Sequence, residues 1–106
     1  MRTRLILSLA VLAVSCPDVG AAERIVHQKG RIFSMETLTV ARGEPVVFLN
    51  DDTVPHNVMS AAPRNAFDLG SQPPGTSTPV SFDEAGEVTV LCAIHPHMRL
   101  VITVKD

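Results

Sequence analysis

Apolar and polar residues alternate with a period of two along much of the chain after residue 24, and no long stretch there has the period of an amphipathic helix. Because alternate side chains of a strand face opposite sides of a sheet, this pattern predicts β-strands. The run at residues 46–49 is apolar throughout and predicts a buried strand. The predicted strands cover residues 25–27, 37–40, 46–49, 80–82, 88–92 and 100–104.

Glycine, proline and acidic residues separate these segments and predict turns. Gly43 and Pro45 mark one turn, and residues 84–87 form another. Residues 60–75 are rich in Ala, Pro and Gly, so we expect that stretch to be mostly loop with room for one short helix. Short strands separated by turns are typical of an all-β Greek-key sandwich or barrel, and this is the fold class that the pattern predicts.

The start of the chain has a different pattern. Two arginines precede an apolar run at residues 5–14, and small residues follow. This arrangement predicts a secretory signal peptide at residues 1–22, because the run is too short to cross a membrane as a helix. Cys16 offers an alternative, since the four residues that end with it resemble a signal for lipid attachment. We therefore expect one domain at residues 23–106, exported to the periplasm and without a membrane span.

Size and charge exclude some classes of partner. A chain of 106 residues has the size of one domain. Its net charge is -2, whereas proteins that bind nucleic acids or anionic membranes carry basic patches. We therefore predict no nucleic-acid partner, and we expect a monomer.

Residues with metal-binding chemistry are concentrated between Cys92 and Met98. This segment contains one thiol, the two imidazoles of His95 and His97, and one thioether. A lone thiol in an oxidising compartment is liable to oxidation unless it is buried or bound to a metal. A thiolate with imidazoles and a weak thioether suits copper, particularly in a trigonal site of two histidines and one cysteine with a distant axial methionine. His56, which follows the buried strand, supplies the second histidine of such a set.

The sequence resembles the cupredoxin family of plastocyanin/azurin-type blue copper proteins over roughly residues 33–104. Five features carry the resemblance as a set: Glu-Thr-Leu-Thr-Val, the turn at Gly43, Val-Val-Phe-Leu-Asn, Pro-His-Asn and the loop Cys-x-x-His-Pro-x-Met. The loop is most similar to that of amicyanin and related small bacterial members. The resemblance implies a β-sandwich of seven or eight strands.

The resemblance also implies roles for individual residues. His56, Cys92 and His95 would bind one copper ion in a plane, and Met98 would bind it axially, while the ion cycles between Cu(I) and Cu(II). Asn50 would connect the His56 loop to the Cys92 loop through hydrogen bonds. In relatives the loop histidine reaches the surface, so His95 is the expected port for the electron.

Two residues depart from the family pattern. His97 stands beside Met98 and, as a ligand, would give a site of one cysteine and three histidines, which suits zinc or a less typical copper centre. Neighbouring side chains on an extended loop face opposite ways, so we expect His97 to point away from the ligands. Ala93 follows the cysteine where many relatives carry a hydroxyl residue, so one hydrogen bond near the thiolate is missing.

These residues predict a protein that exchanges single electrons with a redox protein donor and acceptor, each bound weakly and transiently. A periplasmic copper carrier or storage protein is the alternative. It is motivated by His97 and by Met35 and Met59, although methionine also fills gaps in protein cores. An enzyme is not predicted, because a closed site of four ligands leaves no open metal position for a substrate.

Overall fold

The computed structural model describes residues 24–106, which form nine β-strands and no helix. The predicted signal peptide and Cys16 lie outside the described residues. Residues 24–106 contain no helix with the length and apolar character that crossing a membrane requires.

Short connections join the nine strands. The predictions that correspond to β1, β3, β4, β8 and β9 are confirmed. In chain order the strands are β1 (Arg24–Lys29), β2 (Ile32–Phe33), β3 (Thr37–Ala41), β4 (Val46–Asn50), β5 (His56–Ser60), β6 (Phe67–Gln72), β7 (Ser77–Val80), β8 (Gly86–Leu91) and β9 (Arg99–Lys105).

The strands form two sheets that pack as a sandwich. The smaller sheet has the order β2-β1-β4-β7, and the larger sheet has the order β3-β9-β8-β5-β6. β1 runs parallel to β4 and β3 runs parallel to β9, while the other neighbours are antiparallel. The predicted all-β sandwich is therefore confirmed, with nine strands in the described part of the chain instead of seven or eight.

Apolar side chains from both sheets fill the core. Val88, Val90 and Cys92 are fully buried on one face, as the period of two predicts, and Leu100 and Ile102 are fully buried on β9. Burying one such side chain contributes about 1.5–3 kcal/mol to stability. The buried core consists of Val26, Phe33, Leu38, Val40, Val46, Phe48, Val58, Phe82, Val88, Val90, Cys92, Met98, Leu100, Ile102 and Val104.

The loop predicted for residues 60–75 is wrong in its second half. Phe67–Gln72 forms β6 at the edge of the larger sheet, where its backbone pairs with β5. The register shifts between Asn57 and Met59, and Gly70 on β6 has a φ of 67°, so the pairing is irregular, as at a β-bulge. The Asp, Gly and Ser residues of β6 are poor strand formers. Backbone pairing with β5 holds this strand together with the packing of Phe67 and Leu69 against the core, and two apolar residues are too few to reveal a strand by alternation.

Three other segments differ from their predictions. β5 was not predicted, because buried polar residues interrupt its apolar pattern. The strand expected at residues 80–82 lies earlier, at Ser77–Val80, although Phe82 is still buried. Pro79 lies inside this strand because β7 is an edge strand, where a residue without an N–H group is tolerated. β2 was not predicted at all, because it has two residues and exists only as the return arm of a hairpin with β1.

Candidate metal centre

Two strand ends meet at one edge of the larger sheet. His56 is the first residue of β5, and Cys92 directly follows the last residue of β8. These two strands are antiparallel neighbours with Met59 opposite Leu91, so the start of β5 lies beside the end of β8. The connection from β8 to β9, residues 92–98, contains His95.

Three donor atoms converge at this edge. Nδ1 of His56, Sγ of Cys92 and Nδ1 of His95 all lie within 4.8 Å of one another. The sulfur is 4.0 Å from the His56 nitrogen and 3.9 Å from the His95 nitrogen, and the two nitrogens are 3.2 Å apart. His56 and Cys92 are fully buried, whereas His95 is half-buried. The structure thus brings together three of the residues proposed from the sequence; these three are called the donor triangle below.

The donor triangle fits one metal ion. The point equidistant from the three atoms lies about 2.2 Å from each, which is close to the bond lengths of transition metals with histidine nitrogen and cysteine sulfur. Two imidazoles and one thiolate in a trigonal arrangement are the donor set of blue copper sites. One copper ion therefore suits both the spacing and the chemistry of the triangle.

Asp52 orients the buried imidazole of His56. The Nε2–H group of His56 donates to the Asp52 carboxylate at 2.9 Å, which leaves the Nδ1 lone pair for the triangle. The carboxylate also accepts hydrogen bonds from the backbone N–H groups of Arg31 and Thr53. These contacts, with the Arg31 N–H as the largest cause, lower the pKa of Asp52 to about 2. An ionised carboxylate that fixes the tautomer of a histidine is a general feature of metal sites, and sequence reasoning assigned no role to Asp52.

Asn57 connects the His56 strand to the Cys92 loop. Its backbone N–H donates to Sγ of Cys92 at 3.3 Å, and its side-chain oxygen accepts the N–H of Ala93 at 3.1 Å. Its side-chain nitrogen donates to Asp68 and to the carbonyl of Gly70 on β6. The sequence shows only that Asn57 directly follows His56. It does not show that the Asn57 side chain bonds to the cysteine loop and to β6.

The role that the resemblance implied for Asn50 is wrong. Its side-chain nitrogen donates to the carbonyl groups of Val54 and Gln72, and its side-chain oxygen accepts the N–H of Asp52. Asn50 therefore fixes the turn before His56 and connects that turn to the end of β6. The contact with the cysteine loop is made by Asn57 instead.

His95 and Met98 are held together by a turn. The N–H of Met98 donates to the carbonyl of His95 at 2.9 Å. Met98 is 1% exposed and is part of the core, and its role as an axial ligand stays a prediction. Burial is the main cause that lowers the pKa of His95, and the charges of His56 and Arg31 add to it. The lowered pKa favours the neutral imidazole, which has a lone pair for a metal.

His97 lies outside the donor triangle. Its Nε2–H group donates to the backbone carbonyl of Arg31 at 2.8 Å, and its ring centroid is 6.2 Å from that of His95. The side chain is exposed. As expected from its position next to Met98, it points away from the three donor atoms.

Comparisons with known proteins agree with this geometry. A family model described as copper binding proteins, plastocyanin/azurin family, matches residues 22–105. An amicyanin from Paracoccus versutus is 27% identical over 95 residues, which cover 87% of this chain and 72% of that protein.

Solved structures show the same fold. A reduced amicyanin variant superposes with a TM-score of 0.73 at 25% identity, over 83% of this chain and 87% of its own. A purple cupredoxin from Nitrosopumilus maritimus gives a TM-score of 0.69 at 23% identity, over 78% of this chain and 100% of its own. The second likeness supports the fold alone.

Proposed function

The chain belongs to the plastocyanin/azurin family of copper-binding proteins, and from this premise we propose that it is a blue copper protein that transfers single electrons between two redox proteins. One observation carries the proposal: the nitrogen, sulfur and nitrogen atoms of the donor triangle are already gathered around a point where one copper ion fits. A site of two histidines and one cysteine suits copper that alternates between Cu(I) and Cu(II).

Four residues would hold the ion. His56, Cys92 and His95 would supply two imidazole nitrogens and a thiolate to the ion, and Met98 would supply a thioether as the fourth ligand. The buried position of Met98, at the end of the loop that contains two of the other ligands, supports its assignment.

The surrounding residues would keep the donor atoms in place during the reaction. Copper supplies the one-electron couple, and its two oxidation states prefer different geometries. Asp52 holds the ring of His56, and Asn57 holds the backbone beside Cys92. Pro55 and Pro96 restrict the backbone next to two of the proposed ligands. A site held in this way changes little when an electron arrives, which lowers the barrier to transfer.

His95 is proposed as the port for the electron. It is the half-exposed member of the donor triangle, whereas the other two members are fully buried. Ile94 beside it is 51% exposed and provides apolar surface next to the port. A small apolar contact suits partners that bind weakly and leave quickly. We therefore propose a monomer that meets a redox protein donor and a redox protein acceptor in turn.

We also propose a periplasmic location and a non-enzymatic role. The sequence pattern of residues 1–22 supports export to the periplasm. A non-enzymatic role is supported by a site whose proposed four ligands leave no position for a substrate. The alternative role in copper carriage is not favoured, because His97 donates to the Arg31 carbonyl and Met35 packs against the core.

Visible absorption and EPR spectroscopy of the purified protein test the proposal. The protein is stripped of metal, loaded with Cu(II) and compared with Cys92→Ser. We expect an intense charge-transfer band from thiolate to copper that is absent from Cys92→Ser. His27→Gln is the matched control, because it removes an imidazole outside the donor triangle, and its band should equal that of the wild type.

A weakly coloured wild-type complex, or a band that survives in Cys92→Ser, would overturn the proposal. Retained colour without a reversible one-electron cycle would leave the copper site standing and reject electron transfer as its function.

A further inference from the structure

The turn between β1 and β2 contains two residues with a left-handed backbone conformation, and one of them is not glycine. Lys29 pairs with Ile32, so Gly30 and Arg31 alone form the turn of the hairpin. Their φ values are 63° and 58°, the combination that a tight two-residue hairpin turn requires. Glycine adopts this conformation freely, but a long side chain such as that of Arg31 does so at a cost of about 1 kcal/mol. A strained residue of this kind persists where its surroundings hold it.

Both backbone polar groups of Arg31 form hydrogen bonds with residues next to the donor triangle. Its N–H donates to the Asp52 carboxylate at 2.9 Å, and its carbonyl accepts the Nε2–H of His97 at 2.8 Å. Asp52 in turn accepts a hydrogen bond from the ring of His56. A continuous path of hydrogen bonds therefore runs from His97 through Arg31 and Asp52 to His56.

This path joins the two parts of the chain that contain the donor triangle. His56 lies on β5, whereas Cys92 and His95 lie on the connection from β8 to β9. Asn57 joins these parts at Cys92, at the start of that connection, whereas His97 lies near its other end. Between these two attachment points lies His95, the half-exposed donor, in a loop whose residues 93, 94, 96 and 97 are exposed.

We propose that His97 is a positioning residue: its hydrogen bond to the Arg31 carbonyl fastens the loop of residues 92–98 to the β1–β2 turn and thereby fixes His95 relative to His56. This role rests on the copper site proposed above, and it differs from that of a ligand because Nε2 of His97 is engaged with a backbone carbonyl. This arrangement explains the left-handed backbone of Arg31, because the turn presents its N–H group to Asp52 and its carbonyl group to His97.

Hydrogen exchange in the metal-free protein tests the proposal without copper. His97→Phe keeps a ring of similar size but removes the donor, while His97→Gln keeps an N–H donor near the position of Nε2. We expect the amides of Met98 and Arg31 to exchange roughly three- to tenfold faster in His97→Phe, the factor that corresponds to losing one hydrogen bond, and at the wild-type rate in His97→Gln.

Asn65→Gly is the matched control. Asn65 has a φ of 59°, and its side chain forms hydrogen bonds with both backbone groups of Glu84, at the end of the sandwich opposite the donor triangle. Removing this contact should leave the exchange of both amides unchanged, even where it lowers the overall stability.

The copper-loaded protein gives the second measurement. His97→Phe should broaden or shift the charge-transfer band and slow electron self-exchange, and His97→Gln should restore both. Wild-type exchange rates in His97→Phe would overturn the proposal, as would equal changes in His97→Phe and His97→Gln. A wild-type protein without the band would reject the proposed copper function, while the exchange data would still decide whether His97 fastens the loop.

Discussion

At the residue scale, Asn57 makes the contacts on which the donor triangle depends most directly. Its side chain is 7% exposed and is bonded to three separate positions, namely Asp68, Gly70 and Ala93. The three partners belong to exposed residues, so water replaces some of the hydrogen bonds that are lost with Asn57. Each hydrogen bond contributes about 0.5–1.5 kcal/mol net, so the three together make this residue more important for stability than its size suggests.

Asn57→Ala should lower the free energy of unfolding of the metal-free protein by about 1–3 kcal/mol, because its three side-chain hydrogen bonds to Asp68, Gly70 and Ala93 are lost together. Urea unfolding followed by circular dichroism measures this loss. Asn65→Gly, which removes a more exposed pair of hydrogen bonds, should have a smaller effect. An effect of Asn57→Ala no larger than that of Asn65→Gly would show that the Asn57 contacts are not the stabilising ones.

Sequence chemistry identifies donor atoms better than it identifies the residues that hold them. His56, Cys92 and His95 were named from the sequence because thiol and imidazole groups are rare and their metal chemistry is specific. Asp52 and Asn57 are common turn and strand residues, and their roles depend on which backbone groups lie opposite them. Asn50 shows the same limit, since its own turn and β6 take all of its side-chain hydrogen bonds.

At the scale of elements, side-chain alternation identified the strands that bury one face. β8 and β9 were predicted because Val88, Val90, Leu100 and Ile102 repeat at a period of two and fill the core. β6 was not predicted, because it is an edge strand held by backbone pairing with β5. β6 offers only two apolar positions, Phe67 and Leu69, and β5 is buried but begins with the polar residues His56 and Asn57, so neither strand shows a clear alternation.

The turn between β3 and β4 depends on a carboxylate. Gly43 has a φ of 78° in this turn, and the side chain of Glu44 accepts the N–H of Ala41 at 2.8 Å. This N–H is the main cause that lowers the pKa of Glu44 below its ordinary value of 4.5, and Arg24 adds to the effect. The Arg24 side chain is half exposed, so its ion pair with Glu44 is expected to contribute little.

Glu44→Gln should therefore reduce stability at neutral pH and have progressively less effect in acid. A carboxyl whose folded pKa is depressed stabilises the fold fully above its unfolded pKa, and this contribution disappears as the pH falls through the folded pKa. Thermal unfolding of both proteins between pH 7 and pH 3 measures the difference. Arg24→Gln should keep most of the wild-type pH dependence, and a Glu44→Gln difference that is constant with pH would contradict the assignment.

At the scale of the whole molecule, the two sheets are joined by buried polar contacts as well as by the core. Gln28 on β1 donates to the side chain of Gln72 on β6, which donates to the hydroxyl of Thr78 on β7. Asn50 on β4 adds a contact with the carbonyl of Gln72. These bonds cross between the sheets without using a donor atom of the triangle. The core and these contacts therefore stabilise the sandwich without a metal.

Removal of copper should consequently leave a folded protein with a lower melting temperature. Among the proposed ligands, Cys92 and Met98 belong to the core, and their burial does not require a metal, since 13 other apolar residues surround them in the same cluster. Binding to the folded state alone adds about 2.7 kcal/mol when free copper is 100 times its dissociation constant. For a domain of this size that corresponds to an increase of roughly 10–20 °C.

Thermal unfolding of the metal-free and copper-loaded forms, with Cys92→Ser as the control that should show little or no shift, measures this linkage. A metal-free protein without a cooperative transition would mean that the ion organises the sandwich, as zinc does in small zinc-dependent domains. A cooperative transition whose melting temperature copper raises in the wild type but not in Cys92→Ser would mean that the sandwich folds without the metal. The donor triangle would then be a site held ready by the fold, which is what electron transfer with little rearrangement requires.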